Sequence, residues 1–109
     1  MSTRRVLFLC SRHRLRSPTA AAVFGAWPQL EVDSAGLAAD AETPLGVEQV
    51  AWAQLIVVME PAHKRRLHAR FGAHLRGKRV LCLDIPDRYD YMQPELVELL
   101  LKKAGPLLR

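Results

Sequence analysis

Apolar and polar positions along the chain follow two different periods, and together they predict four strands and four helices. Short apolar runs predict strands over Arg4–Leu9, Leu30–Asp33, Gln54–Met59 and Arg79–Leu83. Helical spacing and helix-start residues predict helices over Pro18–Ala26, Pro44–Trp52, Pro61–Phe71 and Pro94–Ala104. Because strand and helix alternate, the expected fold class is α/β, a three-layer α/β/α arrangement with a four-stranded parallel sheet.

The same pattern predicts which side chains are buried. In the last helix the core-facing stripe is expected to be Leu96, Val97, Leu99, Leu100 and Leu101. Cys82, near the end of the fourth strand, is also expected in the core. Trp27 and Trp52 stand at helix ends and are interpreted as packing residues.

Length and composition describe an ordinary globular chain. The 109 residues, half of them hydrophobic, suit a single domain over 1–109. No apolar run approaches the roughly 20 residues of a membrane span, and no signal peptide is recognised, so neither a membrane partner nor secretion is expected. Two cysteines do not form a disulfide framework, and a cytoplasmic location is expected.

The charge balance favours an anionic ligand. The net charge is +5, and the excess lies in the loop after the first strand and in the predicted helix Pro61–Phe71. Such a balance suits a phosphorylated substrate and also permits nucleic acid, although a basic helix is more commonly a solvated face. His63 and His68 in that helix and His74 just after it lack partners at zinc-ligand spacing, so no metal is expected.

The stretch from Val6 to Pro18 carries the clearest chemical signal. A predicted strand delivers Cys10, and after five residues Arg16, Ser17 and Pro18 begin a helix, with Ser17 predicted as its N-cap. Backbone N–H groups of such a loop bind anions and stabilise a thiolate. A lone cysteine at a strand end is more often a small core residue, but the combined pattern favours a nucleophile beside a phosphate-gripping guanidinium.

Several segments, in order, resemble the low-molecular-weight protein tyrosine phosphatase family. They are Val6–Cys10, Arg16–Pro18 with the helix ending in Val23 and Phe24, Val32–Gly36, Leu55–Glu60 and Ile85–Tyr89. The resemblance implies a low-molecular-weight phosphotyrosine phosphatase-like fold. It also implies two-step hydrolysis of a phosphorylated substrate through a phosphocysteine, without a metal or other cofactor.

The resemblance also implies site residues. The catalytic ones would be Cys10 as nucleophile, Arg16 as phosphate clamp and Asp87 as general acid, with Asp84 as the alternative acid. The substrate-binding residues would be Ser11, Arg12, His13, Arg14 and Leu15 through the loop backbone, Ser17 through a hydrogen bond to the thiolate, and Tyr89 as a flanking aromatic ring. Ser34 would support the loop from the neighbouring strand.

This chain departs from the family pattern in ways that bear on substrate. Arg12 and His13 replace the usual Gly and Asn, Leu15 replaces a second cysteine found in many members, and Arg88 follows Asp87 where proline is usual. The region between Gly36 and Leu55 is short, so a shallower, more open pocket is expected.

Different functions therefore remain open. The leading hypothesis is a phosphotyrosine or aryl phosphate monoesterase. The alternatives are a phosphoesterase on nucleotides or RNA ends, such as 2′,3′-cyclic phosphates, and a non-catalytic anion-binding relative. Arsenate reduction needs additional cysteines to relay a disulfide, which Cys82 alone does not supply.

Overall fold

The computed structural model describes residues 3–12 and 15–109. Strands and helices alternate along the chain as expected, and a short 3₁₀ helix, Gly72–His74, follows α3. The strands are β1 (Arg4–Cys10), β2 (Leu30–Gly36), β3 (Leu55–Val58) and β4 (Arg79–Cys82). The helices are α1 (Arg16–Phe24), α2 (Val47–Trp52), α3 (Pro61–Phe71) and α4 (Pro94–Leu108).

The four strands form one parallel sheet in the order β2-β1-β3-β4. The chain leaves β1 for β2 on one side and later enters β3 on the other, so the strand order reverses at β1. The register pairs Cys10 with Gly36 of β2 and Leu9 with Val58 of β3, which brings their carboxyl ends to one edge. Ligands of open α/β sheets bind at this kind of switch point.

Both faces of the sheet are covered, which confirms the three-layer expectation. Successive side chains of a strand point to opposite faces. Val6, Phe8 and Cys10 pack in one core with residues of α1 and α4, whereas Leu7 and Leu9 pack in the other with residues of α2 and α3. This alternation assigns the Cys10 side chain to the face covered by α1 and α4.

The last helix is longer than predicted and its buried stripe differs. It runs to Leu108 and includes Pro106. The buried positions are Leu96, Leu100, Ala104 and Leu108, at the four-residue spacing of one helix face, together with Gly105. Leu101 was expected in the core, but it is 42% exposed. It follows Leu100 directly and therefore points about 100° away from the buried face of the helix. No helix within the described ranges has the length and apolar character needed to cross a membrane.

Two other predictions were wrong. The second strand was predicted to end at Asp33, but β2 continues to Gly36, because this segment extends the parallel ladder with β1. Cys82 is exposed and not in the core, since β4 is an edge strand that pairs only with β3. The packing roles of Trp27 and Trp52 are confirmed: both are partly buried against the two cores.

The α4 stripe can be tested by a neighbouring pair of substitutions. Leu100→Ala is expected to lower the free energy of unfolding by about 2–5 kcal/mol, because it leaves a cavity in a fully buried position. Leu101→Ala removes the same atoms from an exposed position and is expected to change it by less than about 1 kcal/mol. Urea unfolding measures both. Equal losses would contradict the assignment of the buried face.

Candidate active site

The loop after β1 is held through its backbone carbonyls by the segment that follows β2. The hydrogen bonds run from Leu37 N–H to the Cys10 carbonyl (3.0 Å), from Ala38 N–H to the Ser11 carbonyl (2.7 Å) and from Glu42 N–H to the Arg12 carbonyl (3.2 Å). A trans peptide group points its N–H opposite its carbonyl. The N–H groups of Ser11 and Arg12 therefore point away from this segment and are available to an anion.

Gly36 permits the close approach of the loop to the end of β2. A Cβ atom at this position would lie 2.8 Å from the Ser11 carbonyl oxygen, 2.9 Å from the Arg12 carbonyl carbon and 2.5 Å from Ala41 Cβ. All three distances are shorter than normal van der Waals contact, so any larger residue would displace the loop backbone. Position 36 therefore requires glycine, because there is no room for a side chain.

Ser17 contacts the sulfur of Cys10. The Ser17 Oγ lies 3.0 Å from Cys10 Sγ and 3.5 Å from the Ala35 carbonyl oxygen, and the residue is fully buried. The prediction of Ser17 as the N-cap of α1 was wrong, because the helix already begins at Arg16 after Leu15 and no side chain caps it. Because the Ser17 hydroxyl makes no capping hydrogen bond to the helix backbone, it can form a hydrogen bond with the Cys10 sulfur.

Arg16 is the first residue of α1, and its side chain crosses the carboxyl edge of the sheet. Only 2% of the residue is exposed. Its Nη1 donates to Glu60 Oε2 (2.5 Å) and to the Ile85 carbonyl (2.8 Å). A guanidinium Nη atom carries two N–H groups, so Nη1 is fully used. Among the described residues none accepts a hydrogen bond from Nε or Nη2, the pair of donors that grips two oxygens of a phosphate or carboxylate.

Glu60 and His63 support Arg16 from the end of β3 and the first turn of α3. The hydrogen bond from Arg16 lowers the pKa of Glu60, so this carboxylate stays ionised at neutral pH. Burial, followed by the charge of Arg16, lowers the pKa of His63 to about 4, so its ring is neutral. The Glu60 backbone N–H donates to His63 Nδ1 at 3.2 Å, which puts the ring proton on Nε2, 3.6 Å from Glu60 Oε2.

One cavity of about 210 Å³ is lined by Cys10, Ser11, Arg12, Leu15, Arg16 and Asp87. The Asp87 Oδ1 lies 3.7 Å from Arg16 Nε, and its side chain is 62% exposed at the cavity mouth. The structure thus brings together all three residues expected to be catalytic and three of the expected loop residues. Their chemical roles remain predictions.

Other expected site residues lie elsewhere or outside the described ranges. Tyr89 is not among the cavity-lining residues: it packs on the core beneath α4 and lines a separate groove with residues of that helix. Asp84, exposed and at φ +54°, does not line the cavity either. Ser34 lies in β2 opposite Phe8, and its support of the loop remains a prediction. His13 and Arg14 lie outside the described residues.

Sequence reasoning missed Glu60 and His63 as site residues. His63 was expected on a basic helix without partners, yet only 3% of it is exposed and it packs beside Glu60. The available signal was the position of Glu60 directly after a buried strand, where it begins a helix at the carboxyl edge of the sheet.

Comparison with solved structures identifies the fold. The chain superimposes on the low-molecular-weight protein tyrosine phosphatase of Streptococcus pyogenes with a TM-score of 0.79 at 14% identity, over 97% of this chain and 91% of that one. The chain has the low-molecular-weight protein tyrosine phosphatase fold. The tyrosine phosphatase Wzb of Escherichia coli K30 matches with a TM-score of 0.76 at 21% identity, covering 97% and 96% of the two chains.

The same fold carries another phosphatase among the similar structures. The YwlE arginine phosphatase of Geobacillus stearothermophilus matches with a TM-score of 0.75 at 24% identity, over 95% of this chain and 92% of that one. No sequence model of a protein family matches the chain, and no curated protein is similar to it in sequence. The likeness therefore establishes the fold, and the expected fold class is confirmed.

The burial of neutral His63 predicts a pH dependence of stability. Its pKa is about 4 in the folded chain and 6.5 ordinarily, so the unfolded chain binds the extra proton. Stability is expected to fall as the pH drops from 6.5 towards 4, by up to about 1.4 kcal/mol per pH unit from this residue. His63→Gln removes the titrating imidazole. In urea unfolding between pH 7 and 4, the free energy of unfolding of this variant should therefore depend less on pH than that of the wild type. His68→Gln, at an exposed position of the same helix, is the matched control; identical slopes in all three proteins would contradict the assignment.

Proposed function

We propose that this chain is a cysteine-dependent phosphoester hydrolase that acts on phosphotyrosine or a similar aryl phosphate through a phosphocysteine intermediate. The observation that carries the proposal is the convergence of Cys10, Arg16 and Asp87 on one cavity at the carboxyl edge of the sheet. The shared fold with tyrosine phosphatases adds support. We also propose a cytoplasmic location, because both cysteines are free thiols in the structure.

In the first step the Cys10 thiolate attacks phosphorus. The S–P bond forms as the ester P–O bond breaks, and the protonated carboxyl group of Asp87 gives its proton to the leaving oxygen. The phosphoryl oxygens accept hydrogen bonds from Arg16 Nε and Nη2 and from the N–H groups of Ser11 and Arg12. The product is an alcohol or phenol and a phosphocysteine.

In the second step water hydrolyses the phosphocysteine. Asp87, now ionised, takes a proton from the attacking water, the new P–O bond forms and the S–P bond breaks. The leaving thiolate accepts a hydrogen bond from Ser17, whose Oγ is 3.0 Å from the sulfur. Orthophosphate leaves, and the starting protonation state of Asp87 is restored.

A phosphoesterase on nucleotides or RNA ends is the second candidate. Arg66 of α3 approaches Ser11 of the loop and adds positive charge beside the cavity. Phosphoarginine is a further substrate to examine, because the similar YwlE structure is an arginine phosphatase. The kcat/KM values for a phosphotyrosyl peptide, phosphoarginine and a nucleoside 2′,3′-cyclic phosphate rank these candidates directly. A chain that binds phosphate but turns over none of them would be a non-catalytic relative.

The two cysteines provide a matched test of the nucleophile. Wild type is expected to release para-nitrophenol from para-nitrophenyl phosphate with a burst, and Cys10→Ser should lose at least about 10³-fold in kcat, since a serine hydroxyl is a far weaker nucleophile. Cys82→Ser, at an exposed position outside the cavity lining, should keep wild-type turnover. Equal rates for wild type and Cys10→Ser would overturn cysteine catalysis.

A second pair tests the general acid. Asp87→Asn is expected to slow hydrolysis of an alkyl phosphate by about 10²–10⁴-fold, and to slow para-nitrophenyl phosphate much less, because a good leaving group needs no proton. Asp84→Asn is the control, as asparagine tolerates its positive φ. Steady-state kinetics over a series of leaving groups measures both. If the Asp84 variant shows the leaving-group dependence, the acid is Asp84.

A further inference from the structure

Arg66 is a cation at the rim of the cavity, beside the loop after β1. Its Nη1 lies 3.5 Å from Ser11 Oγ, a neutral group in the phosphate-binding loop. Among the described residues no carboxylate forms an ion pair with Arg66, whereas Arg12 on the same loop is paired with Asp40 at 3.0 Å. The charge of Arg66 is therefore exposed and uncompensated next to the site.

The geometry of α3 separates Arg66 from the other basic residues of the helix. Arg66 is three residues after His63, so both lie on the helix face that meets the site. Arg65 directly precedes Arg66 and therefore points in a direction about 100° away from it around the helix axis. It lines a different groove, together with Pro61, Lys64, His68 and Cys82 beside the edge strand β4.

The size of the cavity determines which part of a substrate meets Arg66. At about 210 Å³ it is smaller than the roughly 300–1,000 Å³ of typical ligand pockets. A phosphoryl group bound by the loop would leave the groups attached to it at the mouth of the cavity. A guanidinium at that mouth can bind a carboxylate through two parallel hydrogen bonds.

We propose that Arg66 recognises a second negative charge on the substrate, a carboxylate side chain next to the phosphorylated residue of a peptide. This inference rests on the proposed function, because it concerns the substrate of the same site. It assigns the chain a preference for acidic phosphopeptides. The preference acts through an exposed ion pair, so its size is modest and decreases with salt.

The test compares two phosphotyrosyl peptides that differ only by Glu or Gln beside the phosphotyrosine. Wild type is expected to favour the Glu peptide by about fivefold in kcat/KM at low salt, the effect of one exposed ion pair. In Arg66→Gln this ratio should fall to about one, and in Arg66→Glu it should invert. Arg65→Gln loses the same charge from the neighbouring groove and should keep the wild-type ratio. Because the ratio is taken within each enzyme, a general loss of activity cancels.

Each outcome is decisive. Turnover of para-nitrophenyl phosphate by wild type, with equal rates for the two peptides, overturns this inference and leaves the proposed function standing. The same holds if Arg66→Gln keeps the preference, or if Arg65→Gln loses it equally, since that indicates an effect of net charge. A higher kcat/KM for a nucleoside 2′,3′-cyclic phosphate than for both peptides overturns this inference, because the preferred substrate is then not an acidic phosphopeptide. No turnover of any phosphoester overturns the proposed function and this inference together.

Discussion

The burial of the Arg16 guanidinium is the constraint on which the candidate site depends. A buried cation is unfavourable unless it is paired and hydrogen-bonded. Glu60 and the Ile85 carbonyl satisfy both needs through Nη1 alone. One side chain of α1 is thereby fixed to the end of β3 and to the loop after β4. The remaining donors, Nε and Nη2, keep the orientation in which two phosphate oxygens can be bound at once.

A second constraint acts on the loop backbone. The carbonyls of Cys10, Ser11 and Arg12 are held by the segment after β2 and Gly36 leaves the room for that contact. The N–H groups of Ser11 and Arg12 are therefore oriented before any ligand arrives. Donors that are already in place need no reorganisation when charge develops on the phosphoryl group. The extended ladder of β2 and the fixed backbone of the loop after β1 are two consequences of the same packing.

Much of this architecture could be predicted from the sequence. The uninterrupted apolar strands, the alternation with helices and the spacing from Cys10 to Arg16 determine the sheet and the location of the loop. Asp87 could be placed near the site because its loop follows the fourth strand. Ser17 was misassigned as a cap because serine suits both a helix N-terminus and a hydrogen bond to a thiolate. Only tertiary contacts distinguish these two uses.

The residues that sequence periodicity could not assign are those whose surroundings come from distant segments. His63 has the composition of a solvated helix face, yet it is buried beside Glu60, the N-cap of α3, and Glu60 in turn is bound by Arg16 from α1. Arg65 and Arg66 are adjacent and chemically identical, and only the packing of α3 against the loop after β1 gives them different neighbours. The candidate catalytic residues lie at or after strand ends, which the sequence pattern marks clearly. The proposed selectivity lies on the rim, where a shift of one residue along α3 separates Arg66, which contacts Ser11, from Arg65, which lines another groove.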